Sequence, residues 1–220
     1  MTDWATISSL ATAAGTLVLA VATFASVRSA NRSARIAELG LQEQRRPVLL
    51  QSRLDDPEQK IMFVDRHWVH VRGGGAAVEH LEGVVYLALS LRNVGAGIAV
   101  LQGWHVRSGV VTSATDHIPA DGFRTLVRDL YIPPGDIGLW QGALRDTGDD
   151  AHGEIADSIL QRRPVSVELM YTDQVGGQRT ISRFMLVPAG DGWLASAGGV
   201  SSGKSGNNNS ATRYASSRCG

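Results

Sequence analysis

The pattern of apolar and polar positions changes character three times along the chain. From Trp4 to Val27 there is no charged residue, and Asp3 and Arg28 bracket the stretch. As a helix, at about 1.5 Å rise per residue, it spans the roughly 30 Å hydrocarbon core of a bilayer. Leu10, Leu17, Val18, Leu19, Val21 and Phe24 supply the hydrophobicity, with Ala, Ser and Thr at most other positions. Hydroxyls on such a helix bond back to the preceding turn, which lowers their cost in lipid. The pattern predicts one transmembrane helix with ends at Trp4 and Val27. A buried core helix is usually shorter and carries a polar face. A signal peptide needs a basic leader; Ala20 and Ala22 mimic a cleavage site, but only Asp3 carries charge before Trp4.

From Arg28 to Arg46 the spacing stays helical but turns polar, with Ala30, Ala34, Ala37 and Leu41 recurring among arginines and glutamates. This predicts a basic juxtamembrane helix over 28–46, weakened at Gly40 and ended at Pro47, since the residue before proline disfavours helix. Its basic face suits either anionic headgroups or solvent.

After Pro47 the period becomes two. Strands are predicted at Val48–Leu54, Ile61–Val71, Val84–Arg92, Ile98–Arg107, Leu126–Ile132, Ile137–Leu144, Val165–Thr172 and Arg179–Val187. Turns between them contain Asp55-Asp56-Pro57, Gly73-Gly74-Gly75, Asn93–Gly97, Pro133-Pro134-Gly135-Asp136 and Val175-Gly176-Gly177. Alternation is cleanest in Val84–Arg92, where Val85, Leu87, Leu89 and Leu91 share one face, predicting one buried face. One short helix is expected from Gly153 to Gln161. The fold class expected is mainly β: a transmembrane helix (1–27), a helical stalk (28–46) and an antiparallel Ig-like β-sandwich (47–197). A small barrel is the runner-up. The Gly-, Ser- and Asn-rich stretch 198–220 is expected to be disordered, because it has little apolar surface to bury.

Charge adds an orientation. Arg28, Arg32, Arg35, Arg45 and Arg46 follow the apolar stretch and no Lys or Arg precedes it. Basic residues near a span favour the cytoplasmic side, so the N-terminus is expected outside and the C-terminal domain in the cytoplasm. The 220 residues carry 21 basic and 21 acidic side chains, a balance that favours no nucleic-acid partner. Cys219 is the only cysteine, so no disulfide forms within the chain. Ala11 and Gly15 make a small-xxx-small pair, which lets two helices approach and suggests a homodimer as a subordinate expectation.

Leu91-Arg92-Asn93-Val94-Gly95-Ala96-Gly97-Ile98-Ala99 resembles the L-x-N-x-G-x-G-x-A turn of uncharacterised membrane-anchored β-sandwich proteins from high-GC Gram-positive and other bacteria. Arg45-Arg46-Pro47 is similar to their arginine-proline junction. Tyr131-Ile132-Pro133-Pro134-Gly135-Asp136 is similar to their P-P-G turn, and Tyr171-Thr172-Asp173 with Arg183-Phe184 to their terminal hairpin. The resemblance covers roughly residues 1–195. It implies an anchor and a β-sandwich, and no activity.

Candidate chemistry is sparse. Asn93, Gly95 and Gly97 suit an anion cradle or, more simply, a strand-joining turn. His67 and His70, three apart on a strand, would point to opposite faces; His80, His105, His117 and His152 are scattered. Asp129, Asp136, Asp149, Asp150 and Asp173 fall mostly in expected turns, where Asp caps backbone N–H groups. Trp68, Trp104, Trp140 and Trp193 are expected in the core. No catalytic, cofactor-binding or metal-binding set emerges, and no cofactor is expected. The expectation is a binding or scaffold module at the inner membrane face, with the lipid bilayer and a membrane or cytoplasmic protein as partners. A membrane-tethered hydrolase with its site at a sandwich edge, and an outward-facing envelope ligand-binding domain, are the alternatives.

Overall fold

The computed structural model describes residues 4–203 except 112, 114, 115 and 178. It divides into two compact units, Met1–Arg45 and Arg46–Gly220.

The first unit is a single helix, α1 (Trp4–Gln44). Its Ser8–Leu41 portion is long and apolar enough to span a membrane, and its most apolar window is not buried within the protein. Leu10 and Phe24 are 73% and 70% exposed. The Thr12, Thr16 and Thr23 hydroxyls donate to the carbonyls of Ser8, Thr12 and Leu19 at 2.9, 2.8 and 2.7 Å. These three hydroxyls are thereby satisfied from within the helix, as lipid requires. Gly40 does not interrupt the helix, which stops just short of Pro47.

The second unit is mainly antiparallel β. Its strands are β1 (Leu49–Gln51), β2 (Gln59–Met62), β3 (Trp68–Val71), β4 (Gly75–Leu81), β5 (Val84–Asn93), β6 (Ala99–Ser108), β7 (Arg124–Ile132) and β8 (Ile137–Leu144). Helix α2 (Asp150–Leu160) precedes β9 (Val165–Thr172), β10 (Arg179–Ala189) and β11 (Gly192–Gly203). Nine strands form one sheet in the order β1-β5-β4-β11-β10-β9-β6-β7, and β8 pairs with the remaining edge of β5. The sheet curls around a core drawn from nearly all its strands, including Leu87, Leu89, Trp104, Trp140, Leu169, Tyr171 and Phe184. The expectation of a mainly antiparallel β unit holds, in the form of one curled sheet enclosing its own core. Ile155 of α2 joins that core.

Several expected elements change. Ile61–Val71 is a hairpin of β2 and β3, not one strand, because the chain reverses where Arg66 adopts a left-handed φ of 65°. The hairpin lies on the outer face of the curled sheet, where Ile61, Phe63, Val69 and Val71 pack on Tyr86 and Ala88. Strand β5 is consequently buried on both faces, not one. β4 joins the sheet after the glycine turn, in a stretch not expected to be strand. α2 begins at Asp150 because Asp149 caps it, accepting from the Ala151 N–H at 3.0 Å. The expectation of disorder from residue 198 is corrected over its first residues: β11 runs to Gly203, with Arg183 opposite Gly199 and Ile181 opposite Ser201. A ladder is built from backbone groups, so small side chains suffice there. The rest of the expected tail, 204–220, lies outside the described residues.

Trp104, Trp140 and Trp193 are buried as expected, but Trp68 is 49% exposed with Lys60 Nζ 4.7 Å from its ring centre. It sits on the solvent side of the covering hairpin.

Candidate functional site

The arginine-proline junction and the Asn-Gly turn meet. Asn93 is fully buried and uses both ends of its amide. Its Nδ2 donates to the carbonyls of Gly97 and Ile132 at 2.7 and 2.9 Å, and its Oδ1 accepts from the N–H groups of Val48 and Gly95 at 3.2 and 3.0 Å. Gly95 lies so close to the chain that an added Cβ would stand 2.4 Å from the Arg46 carbonyl oxygen and the Val48 nitrogen. The turn ties the start of the second unit to the ends of β5 and β7. The Asn93 donors and acceptors are thus taken up inside the fold.

Arg92 extends the same junction. Its guanidinium pairs with Asp56 and donates to the Gly135 carbonyl at 3.0 Å, linking two predicted turns. The Arg92 hydrogen bond holds the Asp56 carboxyl below its ordinary range.

A second polar cluster lies on β9 and β10. Glu168 and Arg183 are each 1% exposed and paired. Arg183 also donates to the carbonyls of Ser113 and Asp116, and His117 Nδ1 stands 3.0 Å from Glu168 Oε1. Arg183 thereby fastens the segment between β6 and β7 to the sheet. Burial pushes the Glu168 pKa up, but hydrogen bonds from Arg183 and His117 outweigh it and hold the carboxyl below its ordinary value.

The cleft of the molecule lies where the curled sheet fails to close. β8 pairs along its length with β5, and β7 pairs with β6, but no ladder joins β7 to β8 among the described residues. β7 also departs from β6. Leu101 pairs with Leu130 and Gly103 with Thr125, so residues 126–129 stand opposite Gln102 alone. Such a bulge re-aims side chains and ends local pairing. A cavity of about 450 Å³ opens between the two strands, a volume typical of small-ligand sites.

Its floor is Trp104, whose ring centre is 5.4 Å from that of Trp140. Gly142 makes room for this pair, since a Cβ there would lie 2.7 Å from the Trp140 ring and 3.1 Å from that of Trp104. Leu126 and Leu130 form one wall; Met62, Phe63 and Val64 of the β2–β3 turn form another. Every charged side chain lining the cavity is an arginine: Arg124, Arg128 and Arg145.

The three differ in how they are held. Arg124 Nη2 donates to both carboxylate oxygens of Asp149, at 2.6 and 2.7 Å, and its guanidinium carbon is 5.3 Å from the Trp104 ring centre. The Arg124 hydrogen bond keeps the Asp149 carboxyl below its ordinary range. Arg145 donates to Asp65 Oδ2 at 3.1 Å, and the same oxygen accepts from the Tyr86 hydroxyl at 2.7 Å. Burial raises the Asp65 pKa, but these bonds and the His67 N–H bring it below the usual range. Arg128 is exposed and makes no side-chain hydrogen bond or ion pair with the described residues. Gln141 Oε1 is buried against the cleft without a partner there.

Of the candidates named from the sequence, Trp104 lines this cleft and Asp149 reaches it through Arg124, while the histidines and the other aspartates lie elsewhere. His67 pairs with Glu79 at 2.8 Å and His70 with Glu58 at 3.5 Å. His152 Nε2 donates to the Gly83 carbonyl at 2.8 Å. Burial, with Arg124 nearby, lowers the His105 pKa. Asp136 and Asp173 accept from nearby N–H groups in their turns, and Asp129 from the Tyr131 hydroxyl. Among the described residues no three metal-ligating side chains come together. The arginines of the cleft went unnoticed, although a signal exists. Arg124, Leu126, Arg128 and Leu130 alternate at strand spacing, which places guanidinium and apolar groups on one face.

No family model matches the sequence, and no curated protein or solved structure matches it either.

Proposed function

We propose that the chain is a single-pass membrane-anchored binding module. α1 holds the β unit at the cytoplasmic face, with the N-terminus outside. The observation that carries this is the exposed apolar surface of α1 beside a unit that builds its own core from Arg46 onward. An exposed apolar surface of that extent calls for a membrane or a partner to cover it. Arg28, Arg32 and Arg35 follow the apolar stretch and support the inward orientation. Tethering raises the local concentration of the β unit for membrane partners, whether lipid or protein. Antiparallel pairing with inward-facing alternation supports an Ig-like arrangement within the curled sheet as part of the same proposal.

The cleft supports binding over the hydrolase alternative. It gathers arginines and apolar groups, and among the described residues no carboxylate, imidazole or thiol lines it. General acid–base work needs such groups within hydrogen-bond reach of the reacting atom.

Cys219, the only thiol, supplies the test. Intact cells are treated with a membrane-impermeant maleimide, and the labelling is repeated after permeabilisation. Labelling only after permeabilisation is expected. Labelling of intact cells overturns the orientation and makes the β unit an outward-facing ligand-binding domain.

A further inference from the structure

We infer that the cleft between β7 and β8 binds a single-chain amphiphile with an anionic carboxylate or phosphate head. The inference rests on the binding-module reading and names the ligand class that module takes.

Charge complementarity selects the head. Three guanidiniums line the cleft, and two are matched by Asp149 and Asp65. Arg128 is left unmatched, so the site carries a net positive charge that a single anion completes. Guanidinium forks suit carboxylate and phosphate oxygens alike. Arg124 and Arg145 are held in place by their aspartates, so little side-chain freedom is lost when an anion arrives between them.

The interior selects the tail. Trp104, Leu126 and Leu130 give the cavity an apolar floor and wall, closed on the other side by Phe63 and its neighbours. An inorganic anion leaves that surface uncovered, and an uncharged alkyl chain leaves Arg128 unpaired. A ligand with both parts satisfies both. Gln141 Oε1, buried without a partner in the described residues, accepts from a hydroxyl next to the head, such as the glycerol hydroxyl of a lysophosphatidate. The cleft lies between two strands that no ladder joins among the described residues, which leaves room for an extended chain.

The test uses the full chain in phosphatidylcholine nanodiscs with a diazirine-bearing palmitate. Adducts are mapped by peptide mass spectrometry. Two regions are expected to be labelled: α1, which shows that the helix sits in lipid, and the cleft peptides around 124–130 and 141–145. Excess laurate or lysophosphatidate should remove the cleft adducts, and whichever competes better identifies the head. Dodecyl maltoside, with the same kind of tail and no charge, should leave them. Arg128→Gln, which breaks no side-chain hydrogen bond or ion pair among the described residues, should lower them by roughly tenfold or more, the loss expected for one charge-assisted hydrogen bond. Labelling confined to α1 overturns the ligand proposal while leaving the anchor standing. Cleft labelling without α1 labelling overturns the anchor instead. Equal competition by dodecyl maltoside, or undiminished labelling of the Arg128→Gln protein, reduces the site to an apolar groove and also overturns the proposal.

Discussion

Asn93 shows how much one side chain can organise. Its amide serves Val48, Gly95, Gly97 and Ile132, and all four contacts lie in segments far apart in sequence or turned back on themselves. Asn93→Ala should cost ~3 kcal/mol in denaturant unfolding, since buried donors and acceptors left unpaired cost about 1–3 kcal/mol each and part of the loss relaxes. The Glu168–Arg183 pair makes a second residue-scale prediction. Removing one partner of a buried pair costs about 3–5 kcal/mol, because the other charge is left behind. Arg183→Met should lose that much, and Arg183→Met with Glu168→Leu should regain part of it. The Glu168 pKa is lowered in the folded protein from 4.5. Its contribution is therefore complete above that value and is lost as pH falls through the lower folded value. The gap in stability between the native protein and Glu168→Gln should be widest at neutral pH and narrow below pH 4.5, read as melting temperature against pH.

Elements are shaped by what lies against them. Gly95 is required by the approach of the Arg46–Val48 backbone, not by its own dihedral angles. Gly95→Ala should destabilise the β unit by about 1–3 kcal/mol, the usual cost of overpacking, and chemical denaturation would read it. β7 sets four residues, 126–129, against the single Gln102 opposite. That bulge lies along the cleft, whose lining includes Leu126 and Arg128. α1 owes its length to an uninterrupted helical sequence up to the residue before Arg45-Arg46-Pro47. Thr12, Thr16 and Thr23 keep their hydroxyls bonded to their own helix.

At the scale of the molecule, two units with separate sources of stability follow one another. One is a helix whose apolar side chains find no cover within the protein. The other curls a sheet around its own core and covers the outer face of β5 with a hairpin. A chain beginning at Arg46 should remain soluble and unfold in one cooperative step, because single domains of this size usually do. Sedimentation after cell lysis should find it in the supernatant, with the full chain in the membrane fraction.

The apolar helix, the change to a two-residue period, most strand positions and the turns were determined by local sequence. Each depends on periodicity, on proline and glycine, or on the absence of charge over a long run. Ile137–Leu144 and Val165–Thr172 even carry the boundaries that alternation predicts. Only the tertiary structure decided that Ile61–Val71 doubles back, that small-residue β11 joins the sheet, and that β7 and β8 stay unpaired. It also brought Arg124, Arg128 and Arg145 around Trp104. The reason is the same in each case. Backbone ladders and cavity linings are made by partners distant in sequence, and the pattern within one segment carries no record of what will lie opposite it.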